Sequence, residues 1–302
     1  MPTEVSSSGH KLGQIIGDWY EKYFALPLLT DIAHSLNLFI DSRFIQRNCR
    51  DDRIIWNDLD GNTVDYDFVM ELGGNSEIKG TPIAFFETFW RRGARHSKDK
   101  ARDDTGKLTP MKATYPTARM LGIVAAGDFT KPAMDLVYSR GVELFYISKS
   151  KIIESWFQNG LQIDYPDRSS EEEKKIIAER IENTLEQRPD TLQNTADCLR
   201  NIVGKSQLQS FKNKVYSKLG ATPQSYRITI QKSSLPICFS NYIEVDCFID
   251  NIDNVCELPS ISYAYEVIFG DGDYFSAQSL TRDELQKRHN QLKTLIQHME
   301  NL

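Results

Sequence analysis

The 302-residue chain predicts an α/β (α+β) fold, a mixed central sheet flanked by helices with a C-terminal helical and β segment behind it. Three observations predict it. VDYDFVMEL at 64–72 alternates apolar and polar side chains as a half-buried strand does, and PIAFFETFW follows at 82–90, so the two read as antiparallel neighbours. From 121 to 160, strand-like and helix-like stretches alternate, which means a parallel βαβ unit. Ahead of both, residues 11–47 keep apolar side chains at helical spacing.

In that first segment Leu12, Ile15, Ile16, Trp19, Tyr23 and Phe24 keep three-to-four spacing, and Leu28, Leu29, Ile32, Ala33, Leu36 and Phe39 continue it. Pro27 breaks or kinks the run. Along 64–72, alternation puts Val64, Tyr66, Phe68 and Met70 on one face and Asp65, Asp67, Val69 and Glu71 on the other. DLDGN before this strand and GGNSEIKGTP after it have turn chemistry. Residues 97–120 are polar and read as partly helical. LGIVAAGDF (121–129) and VELFYIS (142–148) are apolar throughout, as strands buried on both faces are. The helices after them end at Gly141 and Gly160.

At residue 166 the composition shifts, so the expected division is 1–165 for the sheet domain with its N-terminal helices and 166–302 for the C-terminal region. Ser169 or Ser170 followed by Glu171–Glu173 opens a charged amphipathic helix. A further helix is expected around 191–218, then strands at YRITIQ and SISYAYEVIFGDGDYFSAQ, with GDGDY a hairpin turn rather than a calcium loop. A last helix is capped by Thr281.

Composition, 40% apolar and 26% charged, suits a soluble globular protein. No apolar run approaches the roughly 20 residues that span a bilayer. MPTEVSSSGHK lacks the basic-then-apolar layout of a secretory signal, so the expected location is cytoplasmic. Cys238, Cys247 and Cys256 recur at nine-residue intervals without a CxxC pair and read as small core residues. A net charge of −6 excludes a uniformly basic coat for nucleic acid. Yet residues 91–119 hold nine basic residues against three aspartates, a concentrated patch able to attract a polyanion.

That patch begins directly after a lone acid, Glu87, set in an apolar strand. The preceding strand carries Asp67, with Asp65 and Glu71 on the same face as weaker alternatives. Two carboxylates side by side raise each other's pKa unless a cation neutralises them, and a hard divalent ion, magnesium in a cell, does so.

An acid-bearing strand, a turn, a Glu-bearing strand, a basic helix and a βαβ unit, over about residues 55–155, resemble the PD-(D/E)XK nuclease superfamily, in particular restriction-endonuclease-like proteins. ETFWRRGARHSKDKA is similar to segments of bacterial restriction endonucleases. The resemblance implies a restriction-endonuclease-like core with Asp67 and Glu87 as metal ligands, Thr88 lending a backbone carbonyl, and magnesium as cofactor. Where the family usually has Lys, two positions after Glu87, this chain has Phe89. The missing cation would reach back from Arg91, Arg92, Lys98 or Lys100, and Arg91, Arg92, Arg95, His96 and Lys107 would hold DNA. The implied activity is a metal-dependent endonuclease on double-stranded DNA in restriction or phage defence, a homodimer with a companion methyltransferase or defence subunit. Two rivals stand beside it: a silent DNA-binding or assembly subunit on the same fold, and an unrelated α/β protein whose basic stretch meets an acidic protein surface. Trp90 reads as core, His96 as a phosphate contact or general base, and Asp128 as a helix cap.

Overall fold

A computed structural model of the chain describes residues 8–230, 235–252 and 262–302. Helix α1 (Ser8–Trp19) runs through a π-helical turn (Tyr20–Ala25) into α2 (Leu26–Ser35), burying Leu12, Ile16, Trp19, Phe24, Leu29 and Ile32. Pro27 lies in the first turn of α2, where its missing N–H costs little. The helix does not reach residue 47 as its periodicity predicted. Asn37 takes a φ of 48° and Phe39–Ser42 forms β1. Leu36, Leu38 and Ile40 are buried at every second position, so a strand period takes over inside the apolar run.

Next come β2 (Ile54–Asn57), β3 (Thr63–Tyr66), β4 (Phe68–Leu72) and β5 (Thr81–Arg91). The single strand expected at 64–72 is therefore two. The chain bends at Asp67, β3 pairing with β2 in a hairpin while β4 pairs with β1 and β5. Then follow α3 (Ser97–Thr114), β6 (Met120–Gly127), α4 (Lys131–Ser139), β7 (Glu143–Ser148) and α5 (Lys149–Gln158). The central sheet has the order β1-β4-β5-β6-β7, antiparallel through β5 and parallel from β5 to β7. Gly127 has a φ of 110°, and a Cβ there would lie 1.9 Å from the Arg91 carbonyl, so only glycine lets β6 end against β5.

Helices cover both faces of this sheet, giving two apolar cores. One gathers Phe86, Trp90, Val124 and Phe145 under α1, α2 and α5, and the other gathers Phe85, Phe89, Ile123 and Ala125 under α3 and α4. Helices α6 (Glu171–Gln187), α7 (Thr191–Val203) and α8 (Lys205–Leu219) follow, with α6 opened by a capping box between Ser170 and Glu173. The one helix expected at 191–218 is two, parted at Gly204 with a φ of 88°. Ala178, Ile181, Leu199, Phe211 and Val215 of α6–α8 enter the first core. No break in apolar packing therefore falls at residue 165, and Leu295 of the last helix joins the same core.

The separate third core belongs to an antiparallel sheet, β8 (Pro223–Ile230), β9 (Ile237–Phe239), β10 (Tyr263–Phe269) and β11 (Tyr274–Leu280), packed with α9 (Tyr242–Asp250) and α10 (Arg282–Glu300). GDGDY is the β10–β11 turn, and its Asp271 and Asp273 accept hydrogen bonds from Arg119, with Lys112 also on Asp273. Cys238 and Cys247 are exposed, correcting their reading as core residues, and Cys256 lies outside the described residues. No described helix is long and apolar enough to cross a membrane.

Candidate active site

The bend at Asp67 sits beside the outer third of β5, since Phe68 pairs with Phe86. Thr88 donates from its backbone N–H (2.7 Å) and its hydroxyl (3.0 Å) to Asp67 Oδ2. This fixes the Asp67 carboxylate against the residue that follows Glu87. Asp65, which alternation could not separate from Asp67, belongs to the hairpin instead, its Oδ1 accepting from Ile54 N–H at 3.0 Å.

Glu87 is 1% exposed. Its Oε2 accepts from Lys107 Nζ at 3.1 Å, while its Oε1 is buried without a partner. Burial above all, then the Asp67 and Asp104 charges, push the Glu87 carboxyl up to about 8, against the opposing pull of Lys107 and Lys100. Burial lowers the Lys107 ammonium, but Glu87 outweighs it and leaves Lys107 raised.

Helix α3 supplies the cations by its phase. Lys100, Asp104 and Lys107 fall on one stripe at i, i+4 and i+7. The Tyr66 hydroxyl donates to the Lys107 carbonyl at 2.7 Å, seating that turn of α3 against the hairpin. Lys100 Nζ donates to Asp104 Oδ1 at 2.6 Å, and Asp104 Oδ2 is buried without a partner. Burial raises the Asp104 carboxyl, with Lys100 opposing. Glu21 of the π-helical turn adds another buried acid, raised to about 7 by burial first and by Asp67 among the lesser causes. Arg43 opposes by gripping both Glu21 oxygens at 2.8 Å.

Asp67 thus lies close enough to add to the raised carboxyls of Glu21, Glu87 and Asp104, and Glu87 and Asp104 each have a buried oxygen without a partner among the described residues. Buried carboxylates in this setting hold either protons or a cation. Among the described residues no three His, Cys, Asp or Glu side chains are grouped to hold a metal ion. Magnesium commonly uses one or two carboxylates and keeps several waters, so a site for it need not show three grouped acids.

The other expected site residues divide sharply. Phe89 packs on Phe129, with ring centroids 5.2 Å apart, so the position where the resemblance would place Lys is core. Lys107, expected on DNA, is the cation at the acid, while Lys98 is exposed and Lys100 is held by Asp104. Arg92 is not free for DNA. It donates to the Tyr165 carbonyl and to Asp167, and stacks 3.9 Å from the Tyr165 ring. Arg91 and Arg95 are exposed, and His96 lies 3.6 Å from Asp99. Trp90 is core, as expected. Asp128 does not cap α4, whose N-cap is Thr130; its carboxylate lies 3.8 Å from Lys149. Glu71 is spent elsewhere, sharing the fully buried Arg47 with Asp41 at 2.7 and 2.6 Å.

Two members of the site escaped sequence reasoning. Glu21 reads as the polar edge of an amphipathic helix, and Asp104 as one charge in a solvated run. The available signal for Asp104 was helical phase, four residues after Lys100 and three before Lys107. No protein-family model, curated protein or solved structure matches this chain.

Proposed function

We propose that the chain is a metal-dependent endonuclease that hydrolyses phosphodiester bonds of double-stranded DNA, in restriction or phage defence. The observation that carries the reading is Glu87, a buried carboxylate with one orphaned oxygen, a lysine 3.1 Å from the other, and Asp67 fixed on the adjoining Thr88. Asp67 and Glu87 would hold magnesium, which when bound supplies Lewis-acid activation of water and of the phosphoryl group. Lys107 takes the place of the lysine that Phe89 displaces. Its Nζ, only part-buried, stays charged beside Glu87 and faces the charge that builds on phosphorus as water adds and one P–O ester bond breaks. Arg91, Arg95 and His96, exposed beyond the end of β5, would hold flanking backbone phosphates. A homodimer suits duplex sites with two-fold symmetry.

Phe89 favours one rival, a DNA-binding subunit without catalysis. The two separate in a plasmid assay with magnesium. Wild type converts supercoiled DNA to nicked or linear forms, and Glu87→Gln and Lys107→Ala each slow conversion at least ~100-fold. Binding without cleavage favours the silent subunit. Cleavage that survives both substitutions, or no DNA binding even at low salt, overturns both readings.

A further inference from the structure

Beside the outer end of β5 lies a cavity of about 550 Å³ that neither Asp67 nor Glu87 lines. The volume falls within the roughly 300–1,000 Å³ of small-molecule sites. Leu12, Ile16, Trp90 and Ile163 form an apolar wall, while Arg91, Arg95 and His96 form a cationic rim. Among the described residues no aspartate or glutamate lines it, although the chain as a whole carries a net charge of −6.

Three details point to a ligand. Arg91 and Arg95 are exposed and make no ion pair among the described residues, unlike Arg92 beside them. Trp90 is 9% exposed, and its buried indole N–H has no acceptor among the described residues, which is uncommon for such a group. Gly13 sits inside α1, where glycine is among the weakest helix formers, yet no positive φ calls for it. A Cβ added there would meet nothing within 4 Å, so its missing side chain leaves room in the cavity wall. The end of α1 is not itself the anion site, because Ser8 N–H already donates to Glu171.

We propose that this cavity binds a nucleoside monophosphate unit, its phosphate among Arg91, Arg95 and His96 and its sugar and base against the apolar wall. Guanidinium forks match phosphate oxygens two at a time, and Arg91 and Arg95, unlike His96 beside Asp99, have no carboxylate partner among the described residues. The apolar wall has no use for a bare phosphate, so the ligand needs a flat, weakly polar body. Such a unit comes either as a free nucleotide or as the phosphorylated end of a strand. The inference shares Arg91, Arg95 and His96 with the backbone-phosphate contacts assigned above, but no residue of the carboxylate site.

Calorimetry on the full chain in EDTA tests it with AMP, adenosine and inorganic phosphate. AMP binds saturably and more tightly than either fragment. Arg91→Ala with Arg95→Ala, both at exposed positions, weakens AMP by roughly tenfold or more. Gly13→Leu fills the cavity and abolishes binding. Glu87→Gln binds AMP as wild type does, so failure of the nuclease reading leaves this one standing. Absence of saturable AMP binding, binding indifferent to the arginine and glycine variants, or its loss in Glu87→Gln each overturns the proposal. An oligonucleotide that competes better with a terminal phosphate than without names the strand end as the source, and failure of both forms to compete names the free nucleotide.

Discussion

At Glu87, burial lifts the carboxyl from its ordinary 4.5 to about 8, with Asp67 and Asp104 adding to it. A carboxyl whose folded pKa exceeds its unfolded value holds its proton more tightly when folded. Between those two values the unfolded chain has released the proton while the folded chain keeps it, so stability falls as pH rises. Without divalent cations the melting midpoint should drop from pH 5 to pH 8. Glu21, raised to about 7, adds to the same slope. Glu87→Gln should flatten the slope in part and exceed wild type at pH 8 by about 1–3 kcal/mol. Melting curves at several pH values check it, and a wild-type midpoint that is flat or rising over this range refutes it. Glu87 was legible because an acid stands out in an apolar strand. The partner of Glu87 was not, because Lys107 looks like one more surface cation until helix phase brings it within 3.1 Å. Glu71 stood as a weaker alternative on the face of Asp67 by alternation, but the bend at Asp67 breaks that alternation, and Arg47 reaches Glu71 from a loop no pattern describes.

Helix α3 shows what periodicity leaves out. It runs Ser97–Thr114 without a broad apolar stripe, because its inward side mixes Ala101, Leu108 and Met111 with Asp104 and Thr105. Polar residues facing a polar site dilute the pattern that marks a helix, so the segment read as only partly helical. The βαβ unit and the capped starts of α6 and α10 were legible because each rests on a local signal, an apolar run or a Ser/Thr–Glu pair. The end of α2 was not, since Leu36 and Phe39 satisfy a helical period while Leu36, Leu38 and Ile40 in the same run satisfy a strand period. Within α3, Gly106 is exposed, and an added Cβ would meet nothing within 4 Å. Gly106→Ala should therefore stabilise the protein by about 0.5–1 kcal/mol in urea denaturation. Pro110 stands four residues on, where a proline ring crowds the preceding turn. Destabilisation on substitution would mean that Gly106 yields to that ring and that its backbone freedom is needed.

Across the whole molecule, the net charge of −6 hides an internal sorting of charge that also joins the two sheets. Composition placed a boundary at residue 165 because α6 is strongly charged, yet that helix turns Ala178 and Ile181 inward against the core of α1. The β8–β11 unit has a core of its own, although Leu295 of α10 reaches into the first. Between the two, Asp273 of the β10–β11 turn meets Lys112 of α3 and Arg119, with Lys218 of α8 3.9 Å away. Arg119 is buried, and its guanidinium lies 3.4 Å over the Phe269 ring. Asp273→Ala leaves this group of cations with Asp271 alone, at a cost of about 2–4 kcal/mol, below the full figure for a sealed ion pair because the site is partly open to solvent. Lys112 and Lys107 share a helix, so the loss should pass along α3. Hydrogen exchange should quicken first in the β10–β11 turn and the last turns of α3, with β5 and β6 still protected. A midpoint in urea within experimental error of wild type would mean that the turn rests on the first unit without holding it. Uniform loss of protection through β5 and β6 would mean that the two sheets unfold as one, with no seam between them.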